Sequence, residues 1–139
     1  MQCKDPEKEK NIKKEYLKTK RRKKYCRRLK THYHWLWARN SVKSHRRRGY
    51  IVNISVQELT KMALHTIHCP MCGCPLKWHP GKFQSNSPTL DRKENTTTID
   101  KNNSWIICRR CNSTKLDRSF NDFLTYCIMI LRKFEYQAE

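Results

Sequence analysis

Cys69-Pro70-Met71-Cys72-Gly73-Cys74 and Cys108-Arg109-Arg110-Cys111 are the two stretches on which the fold of this 139-residue chain turns. Each holds two cysteines with two residues between them. At that spacing one tight backbone loop aims two sulfurs at a common point, about 2.3 Å from a metal ion. Two such loops make a tetrahedral four-thiolate zinc site from Cys69, Cys72, Cys108 and Cys111. All four coordination positions are then filled, so the zinc is structural and not catalytic. Four thiolates leave the site negatively charged, and Arg109, Arg110 and Lys115 are placed in sequence to offset that charge. Cys74 is a rival for Cys72, but the Pro and Gly around Cys69 and Cys72 favour the two-residue spacing. Of the eight cysteines, Cys3 and Cys26 carry no evident chemistry. Cys127 falls on the apolar stripe of a final helix, where a packed thiol is expected.

Small modules with structural zinc gain about 10–16 kcal/mol of apparent binding free energy that is coupled to folding. A chain this short and polar needs such a staple. A plain zinc ribbon places about 15–20 residues between its cysteine pairs. Here 35 residues, 73–107, intervene, so the zinc frame houses something more. Within it, Pro88-Thr89-Leu90-Asp91-Arg92 reads as the end of a short strand. Ser104-Trp105-Ile106-Ile107 reads as a second strand that delivers the second pair. The rest of 76–104 is rich in Asn, Thr, Ser and Pro and reads as loop. Upstream, Tyr50–Ile54 predicts a short strand. Ser55 and Glu58 form a capping-box signature, which starts a helix running to about His65. Downstream, Ser119 caps a last helix with an apolar stripe of Phe120, Phe123, Leu124, Cys127, Leu131 and Phe134.

The charge is concentrated at the other end. The formal net charge is +19; residues 1–50 hold 19 Lys/Arg against 4 Asp/Glu, a net of +15, and residues 51–139 a net of +4. Residues 11–46 lack Pro and Gly and are rich in Lys, Arg and Leu, which predicts a long helix. Tyr25, Leu29, Tyr33 and Leu36 recur at helical spacing and predict its packing stripe, with Trp35 or Trp37 a candidate base-stacking side chain. Arg21, Arg22, Lys23, Lys24, Arg27 and Arg28 lie on or beside it and point to phosphate. The chain therefore divides into a basic helical nucleic-acid-binding arm, 1–49, and a zinc-containing domain, 50–139. No apolar run is long enough to span a bilayer. There is no leader-like apolar stretch, and cysteines spaced for metal suit a reducing compartment, so an intracellular location is expected and no membrane partner.

Inside the zinc frame, an Asp at a strand end (Asp91) and an Asn directly after the last zinc cysteine (Asn112) make a hard-ligand pair, suited to a hydrated magnesium ion. The run Ser87-Pro88-Thr89-Leu90-Asp91-Arg92 followed by Asn103-Ser104-Trp105-Ile106-Ile107-Cys108-Arg109-Arg110-Cys111-Asn112-Ser113-Thr114-Lys115 resembles the HNH nucleases. It looks most like the small free-standing phage-type members and the endonuclease VII branch. The resemblance covers roughly residues 50–125. It implies an α+β fold, a small zinc-stapled ββα-metal domain preceded by the basic helix, and a virus or mobile element as a possible source. It implies that Asp91 and Asn112 hold a catalytic Mg2+ or Mn2+, that Asn103 ties the loop to the second strand, and that Lys115 faces phosphate.

One position departs from the resemblance. Most HNH nucleases carry a His directly after the metal-binding Asp, where it activates water; here Arg92 stands there. Arginine stays protonated and is no general base at neutral pH. Either Arg92 holds the scissile phosphate, or another residue such as His68 or His79 is the base, or the site binds without cutting. The expected function is a metal-dependent endonuclease acting on DNA, branched or nicked forms included, with RNA open. The alternative is a non-catalytic zinc-dependent DNA- or RNA-binding protein on the same scaffold.

Overall fold

The computed structural model describes residues 6–78 and 83–135. His79 and Cys3, named above, lie outside these. The chain forms two compact units, Met1–His32 and Tyr33–Glu139. Helix α1 (Pro6–Arg47) supplies the described part of the first and enters the second. The elements that follow are β1 (Ile51–Val52), α2 (Val56–His65), β2 (Pro88–Arg92), β3 (Thr98–Ile99), β4 (Ser104–Cys108), α3 (Arg109–Lys115) and α4 (Phe120–Glu135).

In the first unit, Arg21, Arg22, Lys23, Lys24, Arg27 and Arg28 are all exposed on α1. No acidic residue lies among them, so their charge is open to solvent.

The second unit is a mixed α+β domain. Strands β2 and β4 pair antiparallel, with Pro88 opposite Cys108, Leu90 opposite Ile106 and Asp91 opposite Trp105. Leu90, Ile106 and Ile107 are buried, and so is Asp91. β1 and β3 make a second, parallel pair, Ile51 with Thr98 and Val52 with Ile99. Ile54, Leu59, Ala63, Leu76 and Ile99 fill the space between these pieces. α2 starts as its sequence predicts: Ser55 Oγ accepts from the Glu58 N–H at 3.2 Å, and Glu58 accepts the Ser55 N–H at 3.0 Å. Each group satisfies a donor that the first helical turn leaves orphaned.

The second unit's portion of α1 packs through a stripe other than the expected one. His34, Ala38 and Val42 are buried, while Leu36 is exposed and Tyr33 half-buried; the side chains of Tyr25 and Leu29 lie outside those described. Ala38 and Val42 join the domain core, with Trp37 packed against it. Trp37 is half-buried, donates from Nε1 to the Pro88 carbonyl at 3.1 Å, and meets Trp78 edge-on at 5.1 Å. It holds α1 against β2 and is unavailable for base stacking. Trp35 is exposed, with the Arg39 guanidinium over its ring.

α1 ends in a Schellman motif. The Gly49 N–H donates to the Arg46 carbonyl at 3.0 Å and the Tyr50 N–H to the His45 carbonyl at 3.2 Å. Gly49 has φ +86, a left-handed conformation that side chains disfavour. This turn folds Tyr50 back beside His45, with ring centroids 5.7 Å apart. α4 is capped as expected, Ser119 Oγ accepting the Asp122 N–H at 3.0 Å. Its apolar stripe is only partly covered: Phe123 is buried and Phe120 meets Trp105 edge-on at 4.9 Å, whereas Leu124, Leu131 and Phe134 are exposed.

Candidate metal centre and nucleic-acid interface

Cys69 and Cys72 belong to a turn that the local backbone closes tightly. The Gly73 N–H donates to the Cys69 carbonyl and the Cys69 N–H to the Cys74 carbonyl, both at 2.8 Å. Gly73 has φ +71. Cys108 ends β4 and caps α3, its Sγ accepting the Cys111 N–H at 3.3 Å; the Cys108 N–H in turn reaches the Cys69 sulfur at 3.3 Å. The four sulfurs lie within 4.8 Å of one another, and those of Cys72 and Cys108 are 3.7 Å apart. A tetrahedron with metal–sulfur bonds of about 2.3 Å has edges of about 3.8 Å, so the donors fit zinc. Cys69, Cys108 and Cys111 are buried and Cys72 is exposed.

The electrostatics point the same way. The Cys74 N–H, with neighbouring thiols and against burial, brings Cys72 down to about 6. Burial first, then Cys108 and Cys72, pushes Cys111 up. Burial pushes Cys74 up to about 12 as well, but its sulfur does not belong to the cluster of four. Crowded buried thiols cannot all ionise together unless a cation shares their charge. Arg110 adds positive charge: Cys72 first, then Cys108 and Cys111, raise its pKa. Arg109 instead lies over the Phe83 ring at 5.9 Å.

Asp91 sits one strand away from this centre. Its Oδ2 accepts from Trp105 Nε1 at 2.8 Å and pairs with Lys115 Nζ at 3.3 Å. Its Oδ1 accepts no hydrogen bond among the described residues. Lys115 does not face solvent: only 2 % of it is exposed, and its ammonium donates to the Arg118 carbonyl at 2.6 Å and the Leu116 carbonyl at 3.4 Å. The family-based expectation of a phosphate contact there meets a buried lysine clamping α3 to β2. Leu116, at φ +56, ends α3 and lets the chain curl round that ammonium.

Asn112 is half-buried on α3, which packs on β2 and β4, and its side chain makes no hydrogen bond among the described residues. Asn103 holds the loop as expected: its Oδ1 accepts the Glu94 N–H at 2.7 Å, and its Nδ2 donates to Thr96 Oγ1 at 2.8 Å and the Thr98 carbonyl at 3.2 Å. Arg92 is half-buried. It donates to the Thr96 carbonyl and to the Tyr50 hydroxyl at 3.3 Å, and its guanidinium lies 4.5 Å from the Tyr50 ring centre. His68 is exposed and lines a shallow cleft with Ser104 and Trp105.

His45 is a residue that sequence reading passed over. Asp91, Arg92 and Arg48 all lie close enough to act on its charge. A histidine in a basic helix gives no local signal of this; the Schellman turn creates the proximity.

No family model matches the chain, and no curated protein and no solved structure matches it either. No described helix is long and apolar enough to cross a membrane.

Proposed function

We propose that this zinc-binding domain binds nucleic acid and hydrolyses its phosphodiester bonds with the help of a divalent cation, DNA being the expected substrate. The observation that carries the reading is the state of Asp91. Trp105 and Lys115 fix one carboxylate oxygen and leave the other without a hydrogen bond among the described residues, next to a strand end that also presents Arg92. Asn112, on the helix packed against that strand, offers a second uncommitted oxygen. Two such oxygens are hard donors that suit Mg2+ or Mn2+ with its remaining positions hydrated. When bound, the cation supplies charge neutralisation for the phosphoryl oxygens. Trp105 and Lys115 would keep Asp91 oriented, and Arg92 would steady the scissile phosphate. The resemblance to HNH nucleases in the spacing of Asp91, Asn103 and Asn112 about the cysteine pairs supports the same assignment.

One observation favours the second reading, a binding protein that does not cut. A buried ammonium already balances the Asp91 charge, which weakens its claim on a cation. Plasmid and branched DNA incubated with the purified chain decide between them. Cutting with Mg2+ or Mn2+, stopped by EDTA and lost in Asn112→Ala while zinc content and melting stay unchanged, supports the nuclease. Binding without cutting of any duplex, branched or single-stranded DNA supports the binder. Asn112 suits this test because its side chain makes no hydrogen bond among the described residues.

Affinity in either case comes from α1. Each neutralised phosphate steepens log affinity against log salt by about 0.9 on duplex DNA. Replacing Arg21, Arg22, Lys23, Lys24, Arg27 and Arg28 by Gln should flatten that slope by about 3–5 units, measured by fluorescence anisotropy across a salt series. An unchanged slope would place the binding surface elsewhere.

A further inference from the structure

Arg92 stands where the resemblance places the group that takes a proton from water, and arginine cannot serve as that base. The C-terminal turn of α1 brings one in. His45 Nδ1 lies 2.8 Å from the Ser41 carbonyl. A carbonyl only accepts, so Nδ1 carries the proton and donates, and Nε2 is left with its lone pair. The Schellman turn sets the ring against Tyr50 at 5.7 Å. Arg92 lies over the same Tyr50 ring at 4.5 Å and Arg48 at 5.6 Å. Two guanidinium groups and an imidazole with one basic nitrogen thus gather round one tyrosine, beside the end of β2, where Arg92 follows Asp91.

We infer that His45 is the general base of the hydrolysis and that Arg48 joins Arg92 in holding the phosphodiester; this rests on the nuclease reading above. The water oxygen bonds to phosphorus as the bond from phosphorus to the leaving sugar oxygen breaks. The water proton passes to His45 Nε2, and the leaving alkoxide takes a proton from solvent. The products are a phosphomonoester and a hydroxyl, and His45 returns its proton to solvent.

The electrostatic setting suits this task. Burial, with Arg48 and Arg92 adding to it, holds His45 below its ordinary value of 6.5, against the Ser41 carbonyl and Asp91, which raise it. The Tyr50 ring, with its titratable hydroxyl, lies beside it as well. A lowered value keeps the ring neutral at pH 7, the form a base requires. The rate should therefore rise with pH through that lowered value, level off above it, and fall on acidification.

The test compares wild type, His45→Ala and Asn112→Ala in plasmid nicking with Mg2+ from pH 5 to 9, alongside DNA affinity, zinc content and melting. His45→Ala should lose about 10²–10⁴-fold in rate with affinity and zinc retained, and added imidazole should restore part of the loss. Its remaining rate should climb with pH without levelling. Independently of cutting, ¹⁵N spectra should show His45 protonated at Nδ1 at pH 7, with a midpoint below 6.5. Cutting by His45→Ala at the wild-type rate, with Asn112→Ala inactive, overturns the inference and leaves the nuclease standing. A midpoint at or above the ordinary value, or failure of imidazole to rescue, also overturns it. A wild type that binds but never cuts removes both.

Discussion

Cys108→Ser should give a chain that purifies without zinc and shows no cooperative melt. Cys108 does more than ligate. It ends β4 opposite Pro88, its sulfur caps α3 through the Cys111 N–H, and it is fully buried. Structural zinc contributes about 10–16 kcal/mol in small modules, whereas whole domains are stable by about 5–15 kcal/mol. Losing one ligand from so small a core therefore removes the folded state of residues 33–139. Elemental analysis and circular dichroism read the two effects directly. Cys74→Ser is the control: its sulfur lies outside the cluster of four, and zinc content should stay at one per chain. Acid should also release the metal. Zinc binding displaces protons, burial already favours the protonated form of Cys111, and affinity falls as pH falls. A Cys108→Ser chain with full zinc and an unchanged melt would dismantle the reading of this centre.

The zinc centre was legible in the sequence because its geometry is local. Two residues between cysteines fix where two sulfurs point, whatever the rest of the chain does. The start of α2 was legible for the same reason, since Ser55 and Glu58 complete their box within one turn. β2 and β4 could be read because each is a short apolar run leading to a residue of distinct chemistry. Other features depend on contacts that the sequence does not announce. β3 is two residues long and exists by pairing with distant β1. The face of α1 that packs is set by what the rest of the domain presents to it, so Ala38 and Val42 are buried while Leu36 stays exposed. Lys115 reads as a lysine that offsets the zinc site's charge or faces phosphate, until α3 carries it against Asp91. His45 reads as part of a basic helix until Gly49 reverses the chain and Arg92 arrives from another element.

Breaking the Asp91–Lys115 pair should be the most destabilising change outside the zinc cysteines. With 2 % and 9 % of the two side chains exposed, neither charge has water to replace its partner. Removing one member of a buried pair costs about 3–5 kcal/mol, because the other stays buried without compensation. Lys115→Met should lose about that much in urea unfolding with zinc retained. Asp91→Asn should lose less, since an amide oxygen still accepts from Trp105 Nε1 and Lys115. Asp91→Leu combined with Lys115→Met should recover much of the loss, though the Leu116 and Arg118 carbonyls then lack their donor. A loss below about 1 kcal/mol in Lys115→Met would mean that the pair does not hold α3 to β2, since surface pairs are worth no more than that. The same variants separate the two roles of Asp91. If its carboxylate only anchors Lys115, Asp91→Asn and Lys115→Met alter stability alone, and DNA binding follows the folded fraction in both. If Oδ1 serves a cation, Asp91→Asn loses metal-dependent cutting even where it is fully folded, while folded Lys115→Met keeps the carboxylate and retains part of the activity.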